Sequence, residues 1–168
     1  MKPNFLFKLK PHVLFRLGSY LHTITAILWT VIIVIPYPPF NYLLPIIEKG
    51  GPGVWFLFGY IAYLIAGPLS FGLISVLLKG LEEEKQRLNE AAVELGFYLS
   101  YSGVLCSSVL LAVAGSLGGY YMYFADYPPK VVSSFLSAFV LPTTLTVFLA
   151  VVGYLLIVFS MILSEHEE

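Results

Sequence analysis

The sequence predicts an all-α membrane protein: four transmembrane helices in an antiparallel bundle, both termini cytoplasmic, forming a single integral membrane domain over 1–168. Three observations carry this expectation. Hydrophobic residues make up 58% of the 168 positions and charged residues only 11%, against roughly 25% charged in soluble domains. The nine basic and ten acidic residues leave four charge-free runs, at 17–47, 50–78, 95–125 and 131–164, each longer than the ~20 apolar residues that cross a bilayer core. The runs also lack the alternating ~10-residue segments of a membrane barrel, and backbone groups in hydrocarbon must then pair within helices. A soluble enzyme, a nucleic-acid binder and a disordered regulator are excluded.

The spans are placed at about 17–36, 54–78, 93–120 and 133–163. The first follows a basic flank of Lys2, Lys8, Lys10 and Arg16. It is longer than the ~7–15-residue core of a signal peptide and runs into Ile35-Pro36-Tyr37-Pro38-Pro39 without a small-residue cleavage pattern, so it reads as a retained span with no signal peptide. Residues 40–47 are apolar but follow Pro38 and Pro39 and contain Pro45; a segment lying at the membrane surface is expected there. The connection from Gly80 to Glu90 reads as helix, with Glu83 and Arg87 four apart as a helical ion pair and its charges forming a solvated face. The third span therefore starts well before the bilayer. Pro68 and Pro142 each remove a backbone donor inside a span, and kinks are expected at both, with Ser70, Thr143, Thr144 and Thr146 near enough to satisfy freed carbonyls. Tyr37-Pro38-Pro39 and Tyr127-Pro128-Pro129, followed by Gly59-Tyr60 and Gly153-Tyr154, form a weak internal similarity between the two halves.

Orientation follows from the basic residues. Seven of them flank the first span or lie between the second and third, and only Lys49 and Lys130 lie on the other side, which places both termini in the cytoplasm. The opposite side carries Tyr37, Tyr42, Tyr120, Tyr121, Tyr123 and Tyr127, residues suited to the headgroup interface.

Lipid is as apolar as leucine, so helix association depends on close packing and on scarce polar groups. Gly96, Ser100, Gly103 and Ser107 share one side of the third span, and Gly59 and Gly67 supply small residues to the second. These faces are expected to meet each other. Cys106, the single cysteine, excludes an internal disulfide and reads as a small packing residue.

His22 is the one candidate functional residue. It shares a helical side with Gly18, Thr25 and Trp29, and an ionisable residue inside a span is a functional hypothesis by default. Imidazole can ligate haem iron, bond a quinone carbonyl or relay a proton; the alternative is a neutral, inward, hydrogen-bonded packing residue. Leu17 to Trp29, with Leu21-His22 followed by Leu28-Trp29, resembles the opening helix of small copper-resistance and haem-binding membrane families over thirteen residues. The further membrane histidines such haem sites need are not present, since His12 lies at the interface and His166 in the tail. No cofactor is required by the sequence, and haem or quinone enters only as a group shared with a partner subunit. No triad, phosphate loop or HExxH pattern is present.

The functional expectation is a non-catalytic subunit of a larger membrane complex, of the respiratory or redox kind, contacting the lipid bilayer and other membrane subunits and no nucleic acid. The alternatives are a small oligomeric transporter or channel, and a b-type haem or quinone protein using His22.

Overall fold

The computed structural model describes residues 9–166, and Lys2 and Lys8 of the basic flank lie outside them, as do the side chains of Arg87, Glu165 and His166. The chain is built of helices: α1 Pro11–Val34, a 3-10 turn Phe40–Tyr42, α2 Leu43–Lys49, α3 Gly53–Leu64, a π-helical turn Ile65–Leu69, α4 Ser70–Glu83, α5 Glu90–Tyr123 and α6 Pro129–Ile162. α3, the π turn and α4 form one continuous rod, so four helices are long and apolar enough to cross a membrane. α5 and α6 have 34 residues each, about 51 Å at 1.5 Å per residue, against a hydrocarbon core of about 30 Å.

Local chemistry sets the ends. α1 begins with Pro11 at its first position, where the missing N–H costs no hydrogen bond. It stops at Val34 because Ile35 precedes Pro36 and is held extended (φ −64°, ψ 120°). α2 tolerates Pro45 because that residue sits in its first turn. α2 is thus a short helix whose Leu43 and Ile46 are buried. Gly50 and Gly51 turn the chain into α3 with φ of 74° and 53°, a region where a side chain is strained.

The connection after α4 departs from the expected continuous helix. α4 ends at Glu83, Lys85 adopts a left-handed conformation (φ 58°), and Asn89 starts α5 by accepting the Ala92 N–H at 3.1 Å. Between them a two-residue strand, β1 Gln86–Arg87, pairs antiparallel with β2 Glu165–His166. The helix expected through this connection is therefore interrupted; Glu83 pairs with Lys79 at 3.2 Å, and the expected Glu83–Arg87 pair lies outside the described residues. Tertiary pairing with the tail has overridden the helical propensity of a charged run.

This connection, the start of α1 and the end of α6 lie together at one end of the bundle. Glu82 accepts from Lys10 and lies 2.7 Å from His12 Nδ1, and Ser75 Oγ donates to the His12 carbonyl at 2.8 Å. α2 and the 124–128 turn occupy the other end, where Tyr123 donates to the Gly50 carbonyl at 3.3 Å.

The prolines behave differently from each other. At Pro68 the rod widens into the π turn, whose carbonyls take side-chain donors: Ser70 Oγ donates to Ile65 O at 2.8 Å and Tyr154 Oη donates to Ala66 O. α6 runs uninterrupted through Pro142, with Thr146 donating to the Pro142 carbonyl at 3.1 Å.

All four spans contribute to the core. At the terminus-bearing end Phe15, Phe71, Leu78, Val93, Phe97 and Ile157 cluster; at mid-depth Ala26, Tyr63, Val104 and Ala150 do so. The small-residue faces pair differently from the expectation. A Cβ placed on Gly103 would stand 2.5 Å from Ala150 N, one on Gly96 would stand 2.8 Å from Gly153 O, and one on Gly153 would meet Ser100 N. The Gly96–Ser100–Gly103 side of α5 thus packs on α6, not on the second span. The second span meets another side of α5, with Gly59 against Leu111 and Ser108. Gly153 and Ala150 explain the difference, because a stripe without side chains is met most closely by one equally bare. Ser107 is buried and returns its hydroxyl to Val104 O at 3.1 Å. Cys106 is exposed on α5 instead of packed, since the buried neighbours Gly103, Ser107 and Val104 take the inward positions around it.

A buried histidine among aromatic rings

α1 turns Phe15, Gly18, His22 and Ala26 inward, at spacings of three, four and four that form one helical side. His22 is fully buried. Its position depends on two glycines. At Gly18 a Cβ would stand 2.8 Å from both the Phe71 and Phe97 rings, so the bare backbone lets those rings lie against α1. At Gly67, in the π turn, a Cβ would stand 3.1 Å from the imidazole Cγ and Nδ1. Gly67, singled out in the sequence as a helix-packing residue, is the wall of the histidine site.

The imidazole sits among Tyr101, Phe71 and Tyr63, with ring centroids 4.5, 4.8 and 5.2 Å away. Its Nδ1 lies 2.8 Å from the Tyr63 hydroxyl. That hydroxyl has a second neighbour, the His22 carbonyl, at 3.4 Å. The shorter contact is the better hydrogen bond, and it joins the two side chains directly. Nε2 has no hydrogen-bond partner among the described residues.

The rest of the expected polar stripe is divided. Thr25 is half-buried and donates to the Leu21 carbonyl of its own helix at 3.0 Å. Trp29 stacks on Tyr63 with centroids 5.5 Å apart and planes 15° off parallel. On the other side Tyr101 stacks on Phe97 at 5.7 Å, and Phe97 meets Phe15 edge-on at 5.1 Å. His22 is therefore the polar member of an aromatic column through the bundle. Tyr63, Tyr101 and Phe71 were not singled out from the sequence. The available signal was the i, i+4 series Gly59, Tyr63, Gly67, Phe71, which places the tyrosine on the glycine face of the second span.

His12 does not approach His22, since it is held by Glu82 at the terminus-bearing end, and the His166 side chain lies outside the described residues. Among the described residues no three His, Cys, Asp or Glu side chains gather into a metal-binding group. Glu94 is exposed near the start of α5. The arrangement ties α1 to the second span by a hydrogen bond in a low-dielectric core, where its loss leaves a polar group stranded. Comparison of the chain with protein-family models, with curated proteins and with solved structures finds no match.

Proposed function

We propose that this chain is a non-catalytic integral membrane subunit of a larger membrane assembly, with both termini in the cytoplasm. The observation that carries the reading is the one-sided packing of α6. It is seated on α5 through the Gly96, Gly103 and Gly153 seam, and its other sides expose Leu141, Leu145, Phe148, Leu155 and Phe159. At the α2 end, Ser133, Ser137 and Thr144 are exposed along one side of α6 and line two adjoining grooves of about 350 and 450 Å³ beside Trp55. Their hydroxyls are satisfied locally, Ser137 on Ser134 O and Thr144 on Val140 O, so a neighbouring helix can approach without stranding them. Hydroxyl-bearing, small-residue sides are what transmembrane helices use to associate. His22 supports the same reading, because its bond to Tyr63 makes it a packing element of its own chain. The orientation rests on the excess of basic residues at the terminus-bearing end.

Purification in mild detergent, followed by native mass measurement, tests this. A second protein at fixed stoichiometry, lost on Ser137→Leu, is the expected result. A homo-oligomer would favour a small transporter or channel. A lone monomer would overturn both readings.

A further inference from the structure

At the α2 end a groove of about 550 Å³ is lined by Trp29 of α1, Leu43 of α2, Phe56 of α3, and Ala112, Ser116 and Tyr120 of α5. Its size falls within the ~300–1,000 Å³ of small-molecule sites. The lining is nearly all hydrocarbon and aromatic carbon, and the Ser116 hydroxyl is already committed to the Ala112 carbonyl at 2.7 Å. Such a wall favours an apolar chain over a polar ring. A cation stands beside its mouth. Lys49 is exposed and lies over the Tyr123 and Phe124 rings, 5.2 and 5.1 Å from their centroids. Phe124 in turn meets Tyr42 at 4.8 Å and Tyr120 at 6.0 Å, and both tyrosines line the groove. Glu48, the adjacent residue, is turned about 100° around the helix from Lys49.

We propose that this groove is a binding site for one anionic phospholipid, its acyl chain lying against Trp29 and Ala112 and its phosphate meeting Lys49. The aromatic cluster marks the headgroup level, which puts the lysine at phosphate height and the groove below it. The seat belongs to the isolated chain and stands whether or not the protein has partner subunits.

The two tryptophans separate the test cleanly, because Trp29 lines this groove and Trp55 lines the grooves beside α6. The Trp55→Phe protein, in phosphatidylcholine bilayers, is titrated with phosphatidylglycerol carrying brominated acyl chains, and separately with brominated phosphatidylcholine. The site predicts that Trp29 fluorescence is half-quenched at a severalfold lower mole fraction of the anionic lipid. Ala112→Phe, which fills the groove, and Lys49→Ala should each abolish that preference, whereas Lys130→Ala should keep it. Equal quenching by both lipids in the unaltered groove would overturn the proposal. So would a preference that survives Lys49→Ala, or one that Lys130→Ala removes equally well. Should Ala112→Phe fail to fold, the two lysine variants decide.

Discussion

The contact between His22 and Tyr63 joins residues 41 positions apart in the buried middle of the bundle. A buried donor or acceptor stripped of its partner costs about 1–3 kcal/mol. His22→Leu and Tyr63→Phe should therefore each lower stability in detergent. Once both polar ends are gone, the double variant should lose less than the sum of the two, by a coupling of about 0.5–3 kcal/mol. His22→Gln should recover part of what His22→Leu loses, since an amide can both donate to and accept from the tyrosine hydroxyl. Additive losses in a thermal-unfolding cycle would mean that the 2.8 Å contact contributes nothing beyond packing. The sequence made His22 visible as the lone ionisable group deep in the first span. It could not show Tyr63 as its partner, because periodicity says which residues share a helical side and not which neighbour faces them.

At the scale of elements, the same limit decided the α5 seam. Gly96, Ser100, Gly103 and Ser107 were legible as one bare stripe, yet the helix lying on the Gly96–Ser100–Gly103 part is α6, which meets it with Gly153 and Ala150. Gly103→Leu should be severely destabilising, because its side chain would enter the α6 backbone at Ala150; overpacking of this kind costs about 1–3 kcal/mol or more. Val109 is 41% exposed on the same helix, and Val109→Leu should stay within about 0.5 kcal/mol of the parent. Comparable melting temperatures for the two variants in one detergent would remove the seam from the account. The apolar runs fall on the four long helices, but element ends were set by local events that hydropathy does not register. α1 extends back to Pro11 because that proline suits a first turn and because Lys10 and His12 reach Glu82. α4 stops at Glu83 because the chain pairs with its own tail at Gln86 and Arg87.

Four spans joined by short connections bring the described ends of the chain to the same end of the molecule, where Lys10, Glu82 and the β1–β2 pair hold them together. The aromatic belt around Tyr42, Tyr120 and Phe124, with Lys49 above it, marks the opposite end. Composition alone made the four long apolar helices legible, because charge-free runs of such length suffice to cross a bilayer. The proposed cytoplasmic placement of both termini rests on the arrangement of basic residues, and impermeant thiol labelling of intact cells measures it directly. With Cys106 replaced by serine, a thiol introduced by Lys130→Cys should react from outside. One introduced by Glu84→Cys should react only after the membrane is opened. Labelling of both from outside would contradict the four-span topology, and the reverse pattern would contradict the cytoplasmic placement of the termini.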